Sequence, residues 1–390
     1  MLRAVPSGRT LPTLAIMAAA AAMIACGEKE PLTGGPVKPG PGEKTECGRL
    51  GGAPEGPREA PRRRRLVDVE RGGELPYGFN DGSTLNGALS AGRAAALQKL
   101  AGTRLWRVAL DWRFAEPEPR EFEFAAHDAV YCAALARGIR PIFHITGAPE
   151  WAADESGGCP VTSCIDPPAE SALDDLREFA ERIAHRYPEL AAIEAWNEPN
   201  LAAFWTEPDP ARYTAVLAAI DEGVDAAETA TPVLGGSLSN TRRTSPEAGR
   251  FGFAEFFDRM YEAGAADHMD AVSFHPYPLE PLASRDERFT KTMAELRRII
   301  ARNGDRGRRI WVTEVGLPLS ATVTPAQQGR SLREIYDRLA ADRKVDAVLF
   351  HTLLDGPEPS GPGYGFGWLE WRPAGGVHSR PVYREFARRR

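Results

Sequence analysis

Ala192-Ile193-Glu194-Ala195-Trp196-Asn197-Glu198-Pro199-Asn200 is a short run of strand length that breaks off in an aromatic ring, an amide and a carboxylate. Working outward from it, comparable β-rich runs occupy Tyr77 to Asn80, Arg104 to Leu110, Arg140 to Thr146, Pro232 to Gly236, Ala271 to Phe274, Arg309 to Thr313 and Asp346 to His351. Amphipathic stretches lie between most of them: Ser171 to Arg186, Arg212 to Glu228, Glu255 to Ala263, Thr290 to Arg302 and Thr324 to Ala341. Strand runs alternating with helical segments predict an α/β chain whose folded part is a single (β/α)8 TIM barrel. An open doubly wound sheet demands a Gly-rich phosphate loop after its first strand, and Tyr77-Gly78-Phe79-Asn80-Asp81-Gly82 is not one.

Composition narrows the function classes. Of 390 residues, 43% are hydrophobic, enough for a large core, and the net charge of −6 provides no basic field for nucleic acid. The arginine runs Arg62 to Arg65 and Arg388 to Arg390 read as solvated linker and tail charge. At the N-terminus, Arg3 and Arg9 precede the apolar run Leu11 to Ala22, too short to span a membrane and of the form of an export signal. Met23-Ile24-Ala25-Cys26-Gly27 then resembles a bacterial lipobox. Residues 1–25 are therefore expected to be a lipoprotein signal peptide, with Cys26 carrying a lipid. Residues 26–65, rich in Gly, Pro, Glu and Lys, are expected to form a disordered tether, and 66–390 the folded domain. The expected location is the cell envelope, anchored in the outer membrane and facing either the periplasm or the surface. Export allows a disulfide between Cys159 and Cys164, whereas Cys132 reads as a buried free thiol, with a bond to Cys47 left open.

In such a barrel, chemistry gathers at the C-terminal ends of the strands. The runs end at Asp111-Trp112, near His144 and Trp151, at Trp196-Asn197-Glu198, at His275-Pro276-Tyr277, at Thr313-Glu314 and at His351. Two carboxyl groups facing each other across a glycosidic bond supply a proton to the leaving oxygen and an anion beneath the oxocarbenium ion. Glu198 and Glu314, on the fourth and seventh runs, fill that requirement on opposing sides of a closed barrel. Arg107 has the parity to point inward and keep a carboxylate ionised, and Tyr277 is placed to donate to the same oxygen. Asn197 both donates and accepts, which suits a sugar hydroxyl. Trp112, Trp151, Trp205 and Trp368 offer flat faces for stacking, while Trp106 and Trp311 fall where a strand faces the helices.

Ile193-Glu194-Ala195-Trp196-Asn197-Glu198-Pro199-Asn200 resembles the strand-four WNEP motif of the clan of retaining (β/α)8 glycoside hydrolases. Trp311-Val312-Thr313-Glu314-Val315-Gly316 and Ser273-Phe274-His275-Pro276-Tyr277 are similar to its strand-seven and strand-six segments. Within the clan, family 39 and related exopolysaccharide hydrolases are the nearest, with family 5 next. The resemblance implies Glu198 as acid/base, Glu314 as nucleophile, Asn197 on the substrate 2-hydroxyl, Arg107 and Tyr277 supporting the nucleophile, and His275 lining the same subsite. Asp111, His144 and His351 complete the expected substrate-binding set. Phe350-His351-Thr352 departs from the clan, many of whose members carry a tryptophan there. The expected partner is a poly- or oligosaccharide, with no metal, no organic cofactor and a monomeric chain. Three rivals use the same scaffold: a catalytically silent carbohydrate-binding protein, a transglycosylase that remodels glycan, and a metal-dependent hydrolase. The last is disfavoured because the seven histidines include no HxH pair.

Overall fold

The structure, a computed structural model, describes residues 50, 74–155, 157, 161, 164–278, 287–356, 364–372 and 376–387. The expected signal peptide, Cys26, Cys47 and Cys159 lie outside the described residues, as does the expected tether apart from Leu50, which is half-buried against the core. Eight parallel strands close into a barrel: β1 (Tyr77–Asn80), β2 (Leu105–Asp111), β3 (Arg140–Thr146), β4 (Ala192–Ala195), β5 (Val233–Ser239), β6 (Ala271–His275), β7 (Arg309–Val315) and β8 (Val345–His351). The seam is made by β1 on β8, in the register Gly78 to Leu349 and Asn80 to His351. Every one of these strands coincides with a run expected from sequence, most within a residue or two; β5 continues three residues further, to Ser239.

Around the barrel run α1 (Ala91–Ala101), the short α2 (Trp112–Ala115), α3 (Ala125–Leu135), α4 (Leu173–Arg186), α5 (Pro210–Ala226), α6 (Phe253–Glu262), α7 (Glu287–Arg302) and α8 (Pro325–Ala341). Their starts are written locally. Asp209 accepts from the N–H groups of Ala211 and Arg212 with Pro210 in the first turn, and Thr324 and Gln327 form a capping box ahead of Pro325. No helix among the described residues is long and apolar enough to cross a membrane.

Strand parity divides the core in two. Trp106, Val108 and Leu110 face outward into the layer between barrel and helices. Leu105, Ile142, Ala192, Leu234, Ala271, Trp311, Ala347 and Leu349 meet inside the barrel as its floor. Trp311 thus points opposite to the expectation that it faces the helices. Its register partners are small, Ser273 on β6 and Ala347 on β8, with Ala271 beside it in the floor, and the indole fills the space they leave. Close strand approach adds to this economy: a Cβ on Gly78 would lie 1.9 Å from the carbonyl oxygen of Leu105.

Beyond β8 the chain forms a hairpin, β9 (Leu369–Arg372) and β10 (Gly376–Ser379), and the closing helix α9 (Pro381–Ala387). A buried ion pair between Asp355 and Arg380 holds this region, with Asp355 also accepting from the N–H groups of Gly365 (3.0 Å) and Gly367 (2.5 Å). Phe386 of α9 packs on Tyr77 and Trp368 (ring centroids 5.4 and 4.6 Å), covering the β1/β8 seam. Cys132 on α3 is disulfide-bonded, which corrects its reading as a free thiol; Cys164 is disulfide-bonded as well.

Candidate active site

Two residues above the apolar floor, the same strands turn polar. Arg107 rises from β2 into the barrel, wholly buried, and its guanidinium is used to capacity. Nε donates to Glu194 (2.5 Å), Nη1 to Asn80 (2.9 Å) and Glu314 (2.8 Å), and Nη2 to Asn197 (2.9 Å) and Ser237 (3.3 Å). Burial opposes its charge, but Glu194 and Glu314 outweigh burial and hold the pKa above the usual arginine range. This one cation therefore sets the positions of strand ends from β1, β4, β5 and β7.

Glu314 sits beside a register irregularity in β7, between Val312 and Val315, which turns the side chain inward next to Thr313. Its Oε1 accepts from Asn80 (2.7 Å) and Arg107, and its Oε2 from the Tyr277 hydroxyl (2.8 Å). Burial alone would raise its pKa. The charge of His275 in acid, of Arg107 at any pH and of His351, with the Tyr277 hydrogen bond, outweighs burial and brings it to about 2. Burial and the nearby Glu314 and Glu198 push the Tyr277 phenol well up, so it stays an O–H donor.

Glu198 follows β4 in a sharp left-handed turn. Trp196 and Glu198 have φ of 66° and 40°, values that non-glycine residues adopt at a cost, and the Glu198 N–H is fixed on the Ser237 carbonyl (2.9 Å). No helix begins here; the next, α5, starts at Pro210, so the carboxylate is not a helix-start group. Its Oε1 lies 2.9 Å from His275 Nδ1. Burial raises the Glu198 pKa and the charge of Glu314 adds to it, while His275 counts against the rise only when its Nδ1 carries a hydrogen. The two carboxyl groups thus move in opposite directions, as an acid and an anion must. One oxygen of each, with a ring nitrogen of His275, lie within 4.8 Å of one another. Arg107, 2.8 Å from Glu314, makes this trio a poor cage for a metal cation, because it already supplies the positive charge.

The structure brings Glu198, Glu314, Asn197, Arg107, His275 and Tyr277 into one hydrogen-bonded cluster. His351, 6% exposed, joins it through Nδ1, 3.2 Å from the Asn80 amide nitrogen. His144 lies below, 2% exposed, with no partner for either ring nitrogen; burial and then Arg107 hold its pKa well under the usual histidine value. Asp111 caps α2 and grips Arg113 at Nε (2.9 Å) and Nη2 (2.6 Å). Trp151 keeps part of its ring open and packs edge-on against Trp112 (5.4 Å).

Three expected stacking platforms do not present a face. Trp112, Trp205 and Trp368 are each 0% exposed. Trp112 donates to Glu116 (2.8 Å), Trp205 packs on Trp196 and Tyr213, and Trp368 lies between Phe79 and Phe386. Their loops fold back on the barrel, so the rings serve as core. Sequence reasoning missed Asn80, Glu194, Thr313 and Ser237. For Glu194 a signal existed: a carboxylate in mid-strand between apolar neighbours has to be paired inside a barrel.

No protein-family model and no curated protein matches the sequence. Among solved structures, the chain is similar to a family 39 glycoside hydrolase from Bacteroides cellulosilyticus (TM-score 0.59, 20% identity, 83% of this chain and 64% of that one). It is similar also to a monomeric beta-xylosidase from Caulobacter crescentus (TM-score 0.61, 19% identity, 84% and 68%). A family 5 glycoside hydrolase from Bifidobacterium longum in complex with Manb1-4GlcNAc gives a TM-score of 0.60 at 14% identity, over 80% and 77%. The chain spans just under two thirds of the length of the first of these, 64%. At such identities the likeness speaks to architecture, and the architecture is plain: this chain has the (β/α)8 barrel of those family 39 and family 5 glycoside hydrolases.

Proposed function

We propose that the chain is a retaining O-glycosyl hydrolase of poly- or oligosaccharides, with Glu314 as nucleophile and Glu198 as acid/base. One observation carries the reading: two buried carboxyl groups with oxygens within 4.8 Å, one pulled toward ionisation and one toward protonation. An oxygen of each within that reach supports the close pair of double displacement, roughly 5–5.5 Å between carboxyl groups, over the roughly 6.5–9.5 Å that leaves room for water in inversion. In the first step an oxygen of Glu314 attacks the anomeric carbon while Glu198 gives its proton to the departing oxygen. In the second, Glu198 takes a proton from water, whose oxygen displaces Glu314 and returns the original anomeric configuration. Arg107 holds the Asn197 carbonyl oxygen, so the amide NH2 is the end that donates to a sugar hydroxyl beside the reacting carbon.

Export and lipid attachment at Cys26 form part of the proposal, placing a monomeric enzyme in the cell envelope. Radiolabelled palmitate carried by the parent but not by Cys26→Ser tests the anchor. The reaction itself is tested by following the anomer released from aryl glycosides and oligosaccharides by NMR. Retention is expected; inverted product would refute the nucleophile, and binding without any product would favour the silent scaffold.

A further inference from the structure

The cluster contains a hydrogen-bond chain that the two-carboxylate reaction does not require. Glu194 is paired through Oε2 with Arg107, and its Oε1 accepts from the Thr313 hydroxyl (2.7 Å). A hydroxyl has one hydrogen. Thr313 has given it to Glu194, so toward His275 Nε2, 3.1 Å away, its oxygen can only accept. The Ser237 hydroxyl, 3.4 Å from the same nitrogen, receives Arg107 Nη2 and adds a second oxygen on that side. His275 therefore carries its hydrogen on Nε2. A neutral ring then presents a bare lone pair at Nδ1, and the atom facing it at 2.9 Å is Glu198 Oε1.

We propose that Glu194 and Thr313 are positioning residues that fix the tautomer of His275, so that its Nδ1 accepts a hydrogen bond from protonated Glu198 and favours the acid form from which the leaving group takes its proton. The kinetic consequences rest on the glycosidase reading; the tautomer does not. With Nδ1 unprotonated, the 2.9 Å contact exists as a hydrogen bond only while Glu198 is the acid. The opposite tautomer would donate to the carboxylate and favour its ionised form. Raised acidity of Glu198 on losing the chain is thus a matter of which ring nitrogen bears the hydrogen. The other charged or titratable groups facing the pair are Glu314 from β7, Arg107 from β2, Tyr277 after β6, His144 from β3 and His351 from β8. Arg107 reaches the Nε2 side through Ser237 and Glu194, and Glu314 is the chain neighbour of Thr313, so it is the nitrogen-15 spectrum of His275 that ties a change at Thr313 to the ring.

The test combines a spectrum with kinetics on the full chain. Nitrogen-15 NMR of the histidine rings, with His275 assigned by the signal lost in His275→Gln, is expected to show hydrogen on Nε2 and a bare Nδ1 at neutral pH. A His275 ring with hydrogen on Nδ1, neutral or cationic, overturns the proposal whether or not any glycoside is turned over; should His275→Gln not fold, the ring is assigned in the parent protein by its through-space contacts to Thr313, whose hydroxyl lies 3.1 Å from Nε2. In Thr313→Val the Nδ1–H form is expected to appear. The basic limb of kcat/KM should move down by about one pH unit, costing roughly tenfold on that limb for poor leaving groups. Activated aryl glycosides, which need no proton, should be spared, and Thr313→Ser should restore the parent profile. Unchanged limb and unchanged leaving-group dependence in a folded Thr313→Val would equally sink it, since a purely packing role lowers all substrates alike.

Discussion

The floor and the mouth of the barrel are built from the same strands, two residues apart. Leu105 gives way to Arg107, Ile142 to His144, Ala192 to Glu194, Trp311 to Thr313 and Leu349 to His351. Below, the contacts are apolar and without direction, and what matters is that the volume is filled. Above, each contact is a directed bond between groups that would be costly to bury unpaired, so the mouth is held by completeness of pairing. The comparison teaches that a substitution in the floor is felt as lost packing, whereas one in the mouth leaves buried polar groups unpaired.

The largest effect expected is at the mouth. Glu314→Ala should lower kcat by at least about 10⁴-fold, with azide restoring turnover and yielding a glycosyl azide of inverted configuration. Glu198→Ala should lose about 10²–10⁴-fold on poor leaving groups and little on activated ones in the first step. If either variant kept the parent rate on a natural glycan, the mouth would hold some other chemistry. At the floor, Trp311→Ala should cost about 3–5 kcal/mol in denaturant unfolding while the folded fraction keeps its KM; a large rise in KM would mean that the two layers are not separable. A smaller effect sharpens the electrostatic side. With Glu314 at about 2, the acid limb of kcat/KM should fall well below the ordinary carboxylate range, and the basic limb, set by Glu198, above it. Activity is therefore present between the two and lost as Glu314 gains, or Glu198 loses, its proton. Trp311→Ala should leave both limbs in place, since the floor bears no titratable group. Least of all, Trp205→Phe should cost about 1–2 kcal/mol of stability and leave KM unchanged; weakened substrate binding would restore that ring to the stacking surface.

The strands were legible because barrel strands advertise themselves twice, by an apolar run and by the polar group that ends it. Glu198 and Glu314 stood out on that basis, and Arg107 by parity. Parity failed at Trp311, because the register irregularity between Val312 and Val315 lets Thr313 and Glu314 both face inward and breaks simple alternation along β7. Trp112, Trp205 and Trp368 misled for another reason. Nothing local distinguishes a loop aromatic that faces solvent from one whose loop folds back, and the packing partners of Trp368 include Phe386, near the far end of the chain. α1, Ala-rich and without a strong apolar stripe, was silent. Asn80 was hidden by being an ordinary strand-end amide; its value lies in a partner, Glu314, that only closure of the barrel brings near.

The left-handed backbone at Trp196 and Glu198 sets stability against side-chain chemistry at one position. A residue held at positive φ costs roughly 1–3 kcal/mol, and glycine relieves it. The carboxyl group at position 198 is therefore carried at the expense of the fold, and Glu198→Gly should melt above the parent chain in the same stroke that removes that group.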